Sequence, residues 1–188
     1  MDALATWLEL VARWNRKIDL TAARDDAALA ELGVLDAAVI ANHLDLQRDP
    51  RARVVDVGTG FGAPGLALAL LRADLDLTLV EPLGKRASFL RTCLGATKIA
   101  DRARVVEATG AAVVATGDRF DAAISRATLA PAAWLALGEA LSPSGPVVLL
   151  LAREPAPASA SRAIAWDVSY ETSSGAPRRA VALAHAAC

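Results

Sequence analysis

Val54-Val55-Asp56-Val57-Gly58-Thr59-Gly60-Phe61-Gly62-Ala63-Pro64-Gly65 carries the decisive reading of the chain. A short β-branched run stops at a cluster of glycines, and an apolar helical pattern, Leu66 to Arg72, follows. Strand, glycine turn and helix in that order make a place where backbone can approach a ligand closely. Pro64 suits the first turn of the helix. Two ligand classes use this arrangement. Gly60-Phe61-Gly62-Ala63-Pro64-Gly65 matches the dinucleotide pattern, in which a pyrophosphate sits on the helix N-terminus. Asp56, two residues before the first glycine, fits S-adenosylmethionine (SAM) better. A carboxylate repels a diphosphate and attracts the ammonium of SAM. A plain strand–turn–helix without a ligand is the third reading. Glu81 ends the next strand, where a carboxylate can accept the ribose hydroxyls of either nucleoside.

Outward from this loop, strands and helices alternate. Leu75 to Val80 reads as a second strand and Gly84 to Lys98 as a helix. Arg104 to Val106 is a third strand. Phe120 to Ser125 is a fourth, followed by a helix over Pro131–Leu141. Gly145 to Ala152 is an apolar fifth strand. This alternation implies a mostly parallel sheet covered on both faces. Ile164 to Tyr170 and Arg179 to Ala184 read as a terminal hairpin, which brings the sheet to seven strands. Before the loop, Leu4, Trp7, Val11, Trp14 and Ile18 mark an amphipathic helix over 3–18, and residues 26–44 form a second. Asp49-Pro50 ends this lead-in. The expected organisation is a helical lead-in, 1–48, packed on a domain spanning 49–188.

Composition narrows the function. The chain has 188 residues, 54% of them hydrophobic, but 44 are alanine, so its apolar character is soft. Seventeen of the 20 basic residues are arginine. A net charge of −1 argues against a purely electrostatic nucleic-acid binder. Two cysteines, Cys93 and Cys188, and two histidines exclude a disulfide framework and a metal cluster. Met1-Asp2-Ala3-Leu4 shows no signal-peptide pattern, and no apolar run approaches the ~18 residues of a membrane span. A cytoplasmic, monomeric protein is expected. Lys85 and Arg86 open a helix against its macrodipole, at ~0.3–1 kcal/mol each, which hints at an anionic partner. Arg126 and Arg153 end the fourth and fifth strands, beside the crevice of an open sheet.

Together these segments resemble one family. Asp56-Val57-Gly58-Thr59-Gly60-x-Gly62-x-Pro64-Gly65, then Leu83-Gly84-Lys85-Arg86-x-x-Phe89-Leu90-Arg91, then Ile124-Ser125-Arg126-Ala127, are similar to the RsmG (GidB) family. Trp14-Asn15-x-x-x-Asp19-Leu20-Thr21 and Arg24-Asp25 look like that family's first-helix exit. The resemblance covers residues 10–127 well and the remainder weakly. It implies a Rossmann-like class I methyltransferase that uses SAM to methylate N7 of a guanine in 16S rRNA. By the same resemblance, Asp56, Gly58, Gly60, Ala63 and Glu81 bind SAM, and Gly110-Ala111 flank the adenine. Arg126 lies at the methionine end or the target base, as the catalytic residue. Arg24, Lys85, Arg86 and Arg153 meet rRNA.

The chain also departs from the family. Leu32-Gly33-Val34-Leu35-Asp36-Ala37 lacks an Arg-His pair one turn before the aspartate, and Gly33 weakens that helix by up to ~1 kcal/mol. A Lys-Gly after the fifth strand becomes Arg153-Glu154. A basic end becomes His185-Ala186-Ala187-Cys188. These changes touch RNA recognition and leave the cofactor motif intact. Three other readings stay open at this point: a SAM enzyme for a small molecule or protein, a SAM-binding protein without rRNA activity, and a dinucleotide oxidoreductase. Guanine N7 carries a free lone pair, so no general base is required. Arg126 is expected to donate to O6 and not to N7, since a bond to N7 would occupy the nucleophile.

Overall fold

Val54 and Asp56 face one side of the sheet, while Val55 and Val57 face the other. This period-2 alternation decides which side each helix covers. The computed structural model describes residues 3–46 and 50–185. Asp49, the boundary expected after residue 48, and Cys188 lie outside the described residues. The elements run α1 (Ala3–Trp14), α2 (Asp26–His43), β1 (Ala52–Val57), α3 (Gly65–Leu71), β2 (Leu75–Val80) and α4 (Gly84–Thr97). They continue through β3 (Ala103–Val106), α5 (Gly110–Ala115), β4 (Ala122–Arg126), α6 (Pro131–Leu141), β5 (Val147–Leu151), β6 (Ala163–Glu171) and β7 (Pro177–Ala184). The seven strands form one sheet in the order β3-β2-β1-β4-β5-β7-β6. Neighbours from β3 to β5 are parallel, and β7 runs antiparallel to both β5 and β6. The expected α/β architecture is therefore present.

The two faces have separate cores. Helices α1 to α4 cover Val54, Leu77, Leu79, Ile124 and Val148. Helices α5 and α6 cover Val55, Val57, Val80, Ala123 and Leu149. Trp7, Val11 and Ile40 of the lead-in share the first core with α3, α4 and the sheet, so the lead-in is continuous with the domain.

Three local differences from the sequence reading have physical causes. Helix α1 ends at Trp14 rather than Ile18 because the Asn15 side chain competes for backbone. Its Oδ1 accepts from Leu20 N and Thr21 N at 2.9 and 3.0 Å, and its Nδ2 donates to Thr21 O at 3.0 Å. Helix α5 has no counterpart in the sequence reading. It is a short Ala/Val run started by Thr109, whose hydroxyl accepts from Ala112 N at 3.2 Å. Gly33 is buried where α1 crosses α2, and a Cβ there would lie 3.1 Å from the Trp7 ring. The residue that weakens the helix lets the indole seat.

The turn from α6 to β5 is equally tight. Arg162 Nη2 donates to Ser142 O and Pro143 O at 2.7 and 3.1 Å, and Nη1 reaches Gly145 O. A Cβ on Gly145 would stand 1.7 Å from Asp121 O, a backbone atom that cannot rotate away. Gly145→Ala is expected to lower stability by about 1–3 kcal/mol, the usual scale of overpacking, as measured by urea unfolding.

Candidate active site

The glycine loop leaves the carboxyl end of β1, at the centre of the sheet. Gly58, Gly60 and Gly62 have φ of 73, 61 and 109°, values that side-chain-bearing residues rarely adopt. Their amides are already committed. Gly58 N donates to Val80 O at 2.8 Å, Gly60 N to Glu81 Oε2 at 3.0 Å, and Gly62 N to Thr59 O at 2.9 Å. The first amide of α3, Gly65 N, donates to Asp56 Oδ2 at 2.8 Å. Glu81 Oε1 also accepts from Leu83 N at 3.0 Å, so its carboxylate joins the loops after β1 and β2. A dinucleotide site needs free amides for its pyrophosphate. Here the chain's own acceptors fill the glycine amides, and a buried carboxylate caps α3. The dinucleotide reading fails on this accounting, while a cationic, hydroxyl-bearing ligand fits.

Asp56 is fully buried, and its Oδ1 and the nearby Thr59 Oγ1 make no hydrogen bond of good geometry. These acceptor and hydroxyl groups suit the donors of SAM. Burial pushes the Asp56 carboxyl from its ordinary 3.8 up to about 6, against the opposing pull of the Thr59 hydroxyl, the Gly65 amide and Arg126. Glu81 is buried too, and each of its oxygens retains one lone pair for a ribose hydroxyl. Ala63 is buried in the loop.

The end of β4 supplies the other wall. Ser125 Oγ and Thr128 Oγ1 both donate to Val57 O, at 2.8 and 3.1 Å, which pins the β4–α6 loop to β1. Ala127 turns through a left-handed φ of 53° to bring Thr128 there. A Cβ on Gly58 would lie 2.2 Å from Thr128 Oγ1, so glycine is required on both steric and dihedral grounds. Arg126 is largely buried. Its Nη1 donates to Leu32 O at 2.7 Å and to Asp36 Oδ2 at 2.9 Å. Its Cζ lies over the Phe61 ring, 5.8 Å from the centroid, and Phe61 stacks on Trp7. Beside Arg126 opens a cavity of about 130 Å³, walled by Asp36, Arg126, Trp134, Leu149, Glu154 and Tyr170.

The remaining expected residues divide. Gly110 and Ala111 sit in the first turn of α5 rather than in a loop, as the Thr109 cap dictates. A Cβ on Gly110 would meet Leu137 and Val57 at 2.8 and 2.9 Å, so this glycine serves packing at the end of β1. Lys85 and Arg24 are exposed. Arg86 is half-buried, and its Nη2 holds Asp19 O at 3.0 Å, which ties the start of α4 to the loop that carries Arg24. Arg153 is exposed on the turn after β5, and Glu154 rather than Arg153 lines the cavity. The Glu154 carboxylate caps that turn by accepting from Ala152 N and Arg153 N at 3.0 and 3.1 Å.

Asp36, Tyr170, Phe61 and Thr128 belong to the site but stand outside the sequence-derived set. Asp36 alone had a local signal, a carboxylate on the apolar side of a helix. Tyr170, the one tyrosine in the chain, reaches Asp36 only through the fold.

The raised Asp56 carboxyl sets a pH test. The folded carboxyl keeps its proton up to about pH 6, and the unfolded one only to about 3.8. The folded state therefore binds more protons between these values. This contribution to stability is fully present at the acid end and is lost as pH rises through 6. Asp56→Asn has no such titration. Its stability relative to the parent should rise by up to about 3 kcal/mol between pH 4 and pH 8, read from paired urea midpoints. A difference that stays flat across this range would refute the raised carboxyl.

Comparison with known proteins agrees with this geometry. The model of the GidB family, rRNA small subunit methyltransferase G, matches residues 1–174. The ribosomal RNA small subunit methyltransferase G of Halorhodospira halophila is 36% identical over 152 residues, covering 80% of this chain and 68% of its own. Its namesake from Anaeromyxobacter is 32% identical over 155 residues, covering 82% and 70%. Among solved structures, precorrin-6y C5,15-methyltransferase from Geobacter metallireducens shares the fold with a TM-score of 0.57. It is 15% identical and covers 80% of this chain and 87% of that one. The chain belongs to the rRNA small subunit methyltransferase G (GidB) family.

Proposed function

We propose that this chain transfers the methyl group of SAM to N7 of a guanine in 16S rRNA of the small ribosomal subunit. Family membership makes it a SAM-dependent rRNA methyltransferase. The observation that carries the cofactor is the state of the glycine loop, where the glycine amides are filled internally and the Asp56 and Glu81 carboxylates remain as acceptors. Asp56 would take the ammonium end. Glu81 would take the ribose hydroxyls, and Gly110 and Ala111 would flank the adenine. Gly58, Gly60 and Ala63 give the backbone its close approach. SAM supplies the methyl on a sulfonium, ready for in-line displacement.

The chain's task is then to align the acceptor and exclude water. Guanine N7 needs no proton removed, so the site has no need of a general base. The cavity beside Arg126 has Trp134 and Leu149 among its walls. Arg126 donates to O6 of the base. Lys85, Arg24 and Arg153 are exposed to meet phosphates, and Arg86 positions the loop that carries Arg24. A folded RNA target is recognised mainly by shape, so a near-neutral protein can act with few phosphate contacts. A monomer is part of this proposal. No described helix is long and apolar enough to cross a membrane. A ribosomal substrate places the work in the cytoplasm.

The deciding experiment supplies labelled SAM with small ribosomal subunits from cells lacking this modification. Label should appear as 7-methylguanosine. SAM binding without label on the subunit would reassign the acceptor to a small molecule or a protein. Lys85→Ala should raise KM for the subunit at unchanged kcat and reduce the salt slope of binding by about one, as for one lost phosphate contact. An unchanged salt slope would remove Lys85 from the RNA surface.

A further inference from the structure

Arg126 is held by more groups than a merely exposed binding arginine needs. Nη1 has both hydrogens taken, by Leu32 O at 2.7 Å and Asp36 Oδ2 at 2.9 Å. Nε and Nη2 have no hydrogen-bond partner among the described residues. The other oxygen of Asp36, Oδ1, accepts from the Tyr170 hydroxyl at 2.7 Å. Asp36 is buried, with 9% of its side chain exposed against 19% for Arg126. The three groups come from α2, β4 and β6, and all three line the same cavity. The Phe61 ring lies under the guanidinium, 5.8 Å from Cζ to its centroid.

We infer that Asp36 and Tyr170 are positioning residues, which hold Arg126 as a charge-neutralised, single-edge hydrogen-bond donor to O6 of the target guanine. This inference rests on the guanine reading above.

Two requirements of the reaction point to it. The first is geometric. A free guanidinium grips guanine bidentately, one N–H on O6 and one on N7. A bond to N7 occupies the lone pair that must attack. Arg126 keeps only its Nε–Nη2 edge for the base, and the hold of Leu32 O and Asp36 Oδ2 on Nη1 fixes the direction of that edge, so that it addresses O6 and does not swing onto N7. The second is electrostatic. As the N7–carbon bond forms, the carbon–sulfur bond breaks and its electron pair stays on sulfur. No proton moves. The positive charge passes from the sulfonium to the base, so the purine becomes cationic. An unpaired guanidinium beside that base would oppose the transfer. The Asp36 carboxylate cancels the charge while leaving the N–H groups polar. The Tyr170 hydroxyl fixes the free oxygen of the carboxylate, so that the carboxylate cannot rotate away from Arg126.

Tyr170→Phe removes one hydroxyl and no carbon, which makes it the discriminating variant. Asp36→Asn removes the compensating charge. Each should lower single-turnover methylation of small subunits at least tenfold, with the Kd for SAM within twofold of the parent. In an Arg126→Ala background, Tyr170→Phe should add no further loss, because its effect passes through Arg126. A structural role for Tyr170 predicts the same factor in both backgrounds. A second readout is independent of activity. The Arg126 guanidinium nitrogens should give resolved, slowly rotating ¹⁵N signals in the parent, and these should broaden or merge in Tyr170→Phe. Full turnover by Tyr170→Phe or by Arg126→Ala, equal loss in both backgrounds, or unchanged ¹⁵N signals each overturn the inference. A parent that labels no subunit instead overturns the guanine reading, and the role at O6 with it.

Discussion

The buried ion pair between Asp36 and Arg126, 2.9 Å apart, is the contact on which the rest of the site depends. Its partners are 90 residues apart in sequence. Taking two charges out of water costs several kcal/mol per ion, and that cost is offset only when the remaining hydrogen-bonding capacity is filled. Leu32 O and the Tyr170 hydroxyl fill much of it here. Such a pair contributes little net stability compared with an apolar substitute of similar shape. Its effect is on geometry. One guanidinium fixes α2 against the end of β4, Tyr170 brings the terminal hairpin to the same point, and Phe61 connects it to the indole of Trp7 in α1. The lead-in therefore works as a wall of the site. This accounts for a first core that runs from Trp7 and Ile40 through α3 and α4 into the sheet without a break.

The glycine loop depends on this frame from the other side. Thr128 sits over Gly58 only because Ala127 turns left-handed immediately after Arg126. Ser125 and Thr128 meet at Val57 O, so the last residues of β1 and β4 are fastened at their carboxyl ends. Glu81 fastens β2 to the same loop. Three strand ends thus converge through polar contacts between side chain and backbone, and the loop has little freedom left. A preorganised acceptor-lined loop loses less entropy on binding than one that must order itself.

What was legible in the sequence was local. The strand–glycine–helix order, the Asp56 spacing and the position of Glu81 need only a dozen or so neighbouring residues to be read, and the mostly parallel character of the sheet followed from alternation. Parallel strands at central positions are apolar on both faces, which made β1, β2 and β5 visible as short runs. Helix α5 was not, because a six-residue helix has too few turns to display a period. Gly33 was legible as a weak helix position, but its use was not, since the indole it accommodates belongs to another helix. The same limit hid Tyr170. Arg126 could be placed at a strand end from its segment, yet its partners lie 90 or more residues distant along the chain or meet it through Asp36. Sequence spacing holds no record of such contacts. Glu154 illustrates the converse. It stands where the family has a glycine, and the fold makes it the cap of the turn beside the cavity.

Some unfavourable local states occur where the loops after β1 and β4 meet. Asp56 Oδ1 and the Thr59 hydroxyl are buried without a hydrogen bond of good geometry, and Ala127 sits in a left-handed conformation that costs on the order of 1–3 kcal/mol. An isolated fold has no use for an ionised carboxylate under a sheet, since a neutral side chain of the same shape removes the desolvation penalty. A ligand with an ammonium group reverses the sign of that penalty. Ala127 follows the same logic, because the strained turn brings Thr128 onto the loop and sets Arg126 at the cavity. Asp56 lies near the carboxyl end of β1, and Ala127 follows the end of its neighbour β4. Away from these loops, Arg162 spends most of its donors on carbonyls of a tight turn, with its Nε and the Ser142 Oγ left unpartnered.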